Sequence, residues 1–390
     1  MEHPRPAQGF GQTRDLGQDF LADDLRVVRE LLLQERDSLE HRGQSIGVPF
    51  AIVCPDKFRG TLSAPVAAAA MARGLRSAGV EEVQEIPLAD GGEGTIDALL
   101  AARGGALRSA RVTGPLGDVV ETEYAVLSDG TAVIEMARAS GMALVPGARN
   151  DPLRASTRGT GELIAAALRA GAPRIVVGVG GSASTDGGLA AAEALGWSLA
   201  GADVTVACDV TTPFLDAAEV YGPQKGATAA QVALLTRRLE TLAGEYASRT
   251  GVDVTELEGA GAAGGLAGGL AAIGARLEPG FEVVAAAAEL GGVMQDADIV
   301  VTGEGKLDLT TFDGKVVGGV LEWAAEENVE HRAVIVGQAT DEARDELSVL
   351  GAIDLYVLTD RVWQSGEAYS RAELLVEEAA TEAGRRALGE

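Results

Sequence analysis

The chain has 390 residues, 46% hydrophobic but only 4% aromatic, and a formal net charge of −26. Single cores stop growing beyond about 250–300 residues, so this length predicts two domains, and an Ala-, Gly- and Val-rich composition suits helices laid closely on parallel sheets. A surface this acidic repels nucleic acid and anionic membranes, and an anionic substrate needs a local basic site.

No apolar run reaches the roughly 18 residues of a membrane span. The polar, acidic N-terminus lacks the apolar core of a signal peptide, so a cytoplasmic location is expected. The two cysteines, Cys54 and Cys208, make neither a disulfide framework nor a zinc cluster, and buried free thiols are expected. The three histidines, His3, His41 and His331, stand outside every glycine-rich motif. A His general base or Ser-His-Asp triad is therefore not expected, and acid–base work falls to carboxylates.

Residues 1–46 read as an appended extension. Leu25, Val28, Leu31, Leu32 and Leu39 lie near helical spacing, which predicts an amphipathic helix over 17–41. Such a helix would pack on the body of the protein or on a second copy in a homo-oligomer. The body opens with a buried strand, Pro49–Cys54, then the loop Pro55–Gly60 and a helix from a Ser63 cap to about Ser77. A strand at Val83–Leu88 ends in Ala89–Gly94. Residues 119–136 alternate as a hairpin turning at Ser128–Gly130. A helix over 160–170 and a strand at Arg174–Val179 deliver Gly180-Gly-Ser-Ala-Ser-Thr-Asp-Gly-Gly188, which opens a helix to about Leu195. A strand at Val204–Cys208 ends at Asp209. A long helix spans 228–249, and the glycine-rich stretch Glu258–Gly269 precedes another. A strand at Ile299–Thr302 runs into a loop at 303–315. Helices at 315–326 and 341–349 then alternate with strands at 333–336 and 353–358.

Several strand ends thus deliver Gly/Asp loops that open helices, the place where ligands sit in open α/β sheets. Glycine brings backbone N–H groups close to phosphate, and a helix N-terminus adds a favourable dipole. Of the 32 Lys and Arg, only Lys57, Lys225, Lys306 and Lys315 are lysines, each in or beside a glycine-containing turn. Lysine is a compact charge suited to phosphate oxygens; at least two of the four are expected to meet phosphate, while Lys225 in its Gly-Pro-Gln-Lys-Gly turn could be structural. The loop at 180–188 is the strongest candidate, with Asp186 either a cap or a functional carboxylate. In the loop at 303–315, Glu304, Asp308 and Asp313 offer hard oxygens beside Lys306 and Lys315, which fits a magnesium-bound triphosphate. Asp56, Lys57 and Arg59 would form a carboxylate pocket, with Asp90 and Glu93 placed to hold a hydroxyl-bearing substrate. Gly178-x-Gly180-x-x-Ala183 also matches a loose dinucleotide fingerprint with Asp203 as a poor ribose acid, which keeps an NAD-dependent oxidoreductase as an alternative.

These segments, in order from Pro55-Asp-Lys-Phe-Arg-Gly-Thr-Leu-Ser-Ala64 and Ala89-Asp-Gly-Gly-Glu-Gly-Thr95 through Gly159-Thr-Gly-Glu162, resemble the glycerate kinase family of the bacterial glycerate 2-kinase type. The resemblance continues through Gly180–Gly188, Val206-Ala-Cys-Asp-Val210, Tyr221-Gly-Pro-Gln-Lys-Gly-Ala227 and Glu258-Gly-Ala-Gly-Ala-Ala-Gly-Gly265 to Val301-Thr-Gly-Glu-Gly-Lys-Leu-Asp308. It implies two α/β domains with mainly parallel sheets and a cleft between them: 47–95 with 295–390, and an inserted 96–294. It further implies ATP- and Mg2+-dependent phosphorylation of D-glycerate, giving 2-phosphoglycerate. On that reading ATP lies along Gly180, Gly181, Ser182, Ala183, Ser184, Gly303, Gly305, Lys306 and Lys315, magnesium meets Asp308 or Glu304, and Asp186 with Lys57 and Arg59 forms the catalytic set. The chain departs from the family in its short connection at 196–203, in Leu309 and in the extension. A non-catalytic or altered-substrate relative acting as a ligand sensor is the alternative.

Overall fold

The computed structural model describes residues 48–145, 149–362 and 365–390. The expected helix over 17–41, with His3 and His41, lies outside the described residues. In chain order the strands are β1 (Phe50–Val53), β2 (Glu82–Glu85), β3 (Gly105–Thr113), β4 (Val119–Leu127), β5 (Ala132–Glu135), β6 (Arg174–Gly178), β7 (Asp203–Ala207), β8 (Arg276–Glu278), β9 (Ile299–Leu307), β10 (His331–Ala339) and β11 (Asp354–Val357). They form two sheets. One is parallel throughout, in the order β11-β10-β9-β1-β2; the other runs β3-β4-β5-β6-β7-β8, antiparallel across β3, β4 and β5 and parallel beyond. The expectation of an α/β fold with mainly parallel sheets is met.

The central parallel strands are β-branched runs, Ile175-Val-Val177 and Val334-Ile-Val336 among them, almost wholly buried because helices cover both faces. The β4–β5 hairpin turns where Gly130 takes φ 85° and Asp129 Oδ1 accepts from the Thr131 amide at 2.9 Å. One apolar cluster joins the two sheets: Ile52 and Val300 from the first meet Leu127 and Val133 from the second through Phe281, Val284 and Val320. Residues 48–390 accordingly form a single compact unit.

Two elements differ from expectation. β9 does not stop at Thr302 but runs to Leu307, paired with β10 as far as Ala339. Its glycines permit this: a Cβ on Gly303 would lie 1.9 Å from the Ile335 carbonyl oxygen, and one on Gly305 would lie 2.8 Å from the Arg59 amide nitrogen. The stretch 258–269 is not a loop before a helix. A helix already starts at Ala262, with Ala263, Gly264 and Gly265 all left-handed inside it. The short connection at 196–203 turns sharply, with Trp197 at φ 61° and Ala200 at φ 54°. A bulky residue rarely adopts that conformation; here the Arg249 guanidinium lies over the Trp197 ring at 3.7 Å and Tyr246 meets its edge.

Candidate active site

The carboxyl ends of strands from both sheets converge on a cleft of about 560 Å³. The loop after β2 supplies Asp90, the loop after β6 supplies Gly180, Gly181 and Ser182, and the end of β7 supplies Cys208 and Asp209. Arg59, Lys225 and Lys315 complete its charged lining. A larger, open concavity of about 780 Å³ lies over the β3–β4 hairpin, lined by Arg111, Glu121 and Arg138. It lacks converging strand ends, so the smaller cleft is the candidate site.

Two of the glycines have a second task besides approach to a ligand. A Cβ on Gly178 would lie 2.2 Å from the Gly91 carbonyl oxygen, and one on Gly180 would lie 2.8 Å from the Gly92 Cα. The loops after β2 and β6 therefore meet backbone to backbone, which sets the distance across the cleft.

On the β1–β2 side, Lys57 Nζ lies 3.5 Å from both Asp56 Oδ1 and Asp90 Oδ1. Burial works against the Lys57 charge, but the two carboxylates outweigh it and raise its pKa. Burial pushes Asp56 up to about 6, helped by the charge of Asp90 and opposed by Lys57. Burial likewise pushes Glu304 up to about 7 despite the Thr311 hydroxyl, which donates to Oε1 at 2.6 Å. Asp209 also rises to about 7. Burial is again the main cause and the Asp90 charge adds to it, while the Gly280 amide, donating at 2.7 Å, works against it. Arg59 is exposed on the cleft, and among the described residues no carboxylate pairs with it.

Asp186 does not line the cleft. Its carboxylate accepts from the Thr157 amide and hydroxyl at 2.8 and 2.9 Å and from the Gly188 amide at 3.3 Å. It is no helix cap in the usual position either, since Gly188 precedes the helix Leu189–Ala194. It ties the start of the helix Arg158–Arg169 to the glycine-rich loop. Burial raises its pKa against those three bonds.

The remaining expected residues divide. Gly180, Gly181, Ser182 and Lys315 face the cleft, while Ala183, Ser184 and Gly303 are buried behind it. Glu93 is exposed and outside the cleft lining, as is Lys306, which pairs with Asp308 at 3.0 Å. Asp308 spends its other oxygen on the Thr310 amide and hydroxyl, and these bonds hold its pKa below the usual carboxylate range. Cys54 is buried, but Cys208 is only partly so and forms part of the cleft wall, contrary to the expectation of two buried thiols. Asp203, the ribose acid of the dinucleotide reading, opens β7 at the end away from the cleft and pairs with Arg276. That removes the geometric basis of the oxidoreductase alternative.

Sequence reasoning missed Asp209 and the burial of Lys225. Asp209 did carry a signal, as an acid directly after an apolar strand. Lys225 is 2% exposed, and its Nζ donates to the Ser184 carbonyl at 2.6 Å.

Comparison with known proteins agrees with this architecture. Against the crystal structure of a protein described as glycerate kinase 2 from Salmonella typhimurium LT2, the chain superposes with a TM-score of 0.75 at 34% identity, covering 88% of this chain and 99% of that one. The sequence is 40% identical to glycerate 2-kinase of Escherichia coli (strain K12) over 75% of this chain and 86% of the relative. It is also 40% identical to glycerate kinase of Bacillus subtilis (strain 168), over 76% and 86%. The family profile matches residues 51–203 and again 198–388, the two matches overlapping in the short connection described above. On these matches the chain belongs to the glycerate kinase family and is a kinase.

Proposed function

We propose that the protein transfers the γ-phosphoryl group of ATP to D-glycerate, giving 2-phosphoglycerate and ADP. The observation that carries this reading is Asp209, a carboxylate with a near-neutral pKa in the same cleft as Arg59, which has no carboxylate partner among the described residues, and the phosphate-suited Lys315. A base is most effective when its pKa lies near the working pH. The E. coli relative is a glycerate 2-kinase by name, which favours the 2-hydroxyl as acceptor.

Arg59 and Lys57 hold the glycerate carboxylate. Asp209 takes the hydroxyl proton as that oxygen bonds to the γ-phosphorus, and the β–γ bridging oxygen leaves with ADP. Lys315 and the amides around Gly180–Ser182 offset the charge on the transferring group. The lobes we assign to 47–95 with 295–390 and to 96–294.

Among the described residues, no three acidic, histidine or cysteine side chains form a ready-made metal site. Magnesium does not require one, since it keeps waters and phosphate oxygens and takes one or two protein carboxylates. Glu304 and Asp56 fit that role, because both are hard-oxygen groups crowded by like charge, which a cation relieves. Magnesium, when held there, would supply positive charge against the phosphate oxygens.

The test is a coupled ADP-release assay with MgATP over a panel of small hydroxy acids, with the product identified. Release is expected with D-glycerate and not without it. Equal release with and without the acid would overturn the reading.

A further inference from the structure

Lys225 is placed badly for a structural residue. Its ammonium is buried, and among the described residues it makes one hydrogen bond, to the Ser184 carbonyl, with no carboxylate within ion-pair distance. Of the groups around it, Asp186 acts only at longer range and Tyr221 presents its ring at 5.8 Å. Burial pushes its pKa down to about 7. A buried, uncompensated cation costs several kcal/mol, and an apolar side chain would fill the same space at lower cost.

The surroundings nevertheless close around it. A Cβ on Gly264 would lie 2.2 Å from the Ser184 carbonyl oxygen and 2.9 Å from Lys225 Nζ. The left-handed run Ala263–Gly265 is what lets the helix Ala262–Ala272 approach that bond, and it holds the non-glycine Ala263, itself on the cleft wall, at φ 53°. Strain of this kind persists where a site requires it. A second observation points the same way: Ser184 Oγ and Thr185 Oγ1, in residues 0% and 2% exposed, have no hydrogen-bond partner among the described residues.

We infer that Lys225, on the wall of the cleft beside the glycine-rich loop, is a binding residue for the phosphate chain of the nucleotide. This rests on the reading of the cleft as a nucleotide site. The anion supplies the charge that the fold withholds. Because Lys225 is largely neutral above pH 7 in the free protein, nucleotide binding there takes up a proton.

The experiment is calorimetric titration of the wild type, Lys225→Met and Lys225→Arg. The titrants are a magnesium-loaded, non-hydrolysable β,γ-imido ATP analogue, inorganic tripolyphosphate and D-glycerate, each in two buffers of different ionisation enthalpy. For the wild type, proton uptake per nucleotide should approach one at about pH 8.5 and fall as the pH is lowered towards about 6, where Lys225 is already charged. Lys225→Met should lose the uptake and weaken both phosphate ligands at least about tenfold, leaving glycerate within about twofold. Lys225→Arg, always charged, should recover part of the affinity without the uptake. Unchanged analogue binding in Lys225→Met overturns the inference, and so does a loss confined to glycerate, which would make the anion a carboxylate. If Lys225→Met does not fold, Lys225→Arg decides alone, and uptake persisting in it overturns the inference. A wild type that binds the analogue with uptake but never phosphorylates glycerate sinks the acceptor assignment and leaves this one standing.

Discussion

Lys57 and Lys225 both line or border one cleft, and burial disfavours the charge on each, yet their pKa values move in opposite directions. Lys57 sits between Asp56 and Asp90, and the pair raises it. Among the described residues Lys225 has a carbonyl, the Tyr221 ring and a distant Asp186, and it falls to about 7. Three acids have the mirror-image problem: Asp209 in the cleft lining, and Asp56 and Glu304 outside it, rise to about 7, 6 and 7 because burial and neighbouring carboxylates oppose their charge. Lys225 and the three acids are thus poorly compensated in opposite senses. An anion would offset the charge of Lys225, and a cation that of the acids.

The comparison breaks first at Asp209. Asp209→Asn should lower kcat by about 10²–10⁴-fold, the usual contribution of a general base, while the Asn oxygen can still accept from Gly280. Asp186→Asn should behave differently. It disturbs bonds to Thr157 and Gly188, so about 1–3 kcal/mol of stability should go while kcat stays within about tenfold. Steady-state kinetics and thermal melts of both variants decide. If Asp186→Asn loses rate and Asp209→Asn keeps it, the base belongs behind the glycine-rich loop after all.

How much of this was legible in the sequence depended on whether a residue's role was local. β1, β6 and β10 showed as β-branched runs, and the β4–β5 turn showed in Ser128-Asp-Gly130. β3 gave no signal because, as an edge strand, it is exposed on both faces for most of its length. The glycine-rich loops were found, but not their purpose: Gly180 and Gly303 look like phosphate cradles until the segments they pack against, Gly92 and Ile335, are placed beside them. Lys225 could be listed as a candidate from the chain and Asp209 stood there only as the acid ending a strand, and the depth and neighbours of both are set by sheet order, which no local pattern records.

Asp209 and Lys225 should also separate by pH. A carboxyl whose folded pKa is raised binds its proton more tightly folded than unfolded, so its contribution to stability falls as pH rises through its folded value. For Asp209 that window runs from about 4 to about 7. Lys225 is a base lowered from 10.5 to about 7, so the unfolded chain binds the proton more tightly, and its cost is full below pH 7 and fades towards 10.5. The melting advantage of Asp209→Asn over wild type should therefore appear above pH 4 and reach roughly 2–4 °C by pH 8. That of Lys225→Met should be largest near pH 6 and shrink as pH rises. Parallel curves for the two variants would mean that neither group titrates in the range its surroundings dictate.

The smallest effect is expected at Lys306, and it tests where the phosphate wall ends. Lys306 is 57% exposed, neutralised by Asp308 at 3.0 Å, and absent from the cleft lining. Exposed ion pairs contribute about 0–1 kcal/mol, so Lys306→Met should leave melting almost unchanged and the KM for ATP within about threefold. Lys315 differs in kind: it faces the cleft, and its Nζ donates to the Thr310 hydroxyl at 2.6 Å rather than to a carboxylate, leaving its charge for a ligand. Lys315→Met should therefore raise the KM for ATP by about tenfold or more while Lys306→Met does not. Equal losses in the two variants would show that the turn after β9 closes onto the nucleotide as a unit, with Asp308 releasing Lys306 to the phosphates.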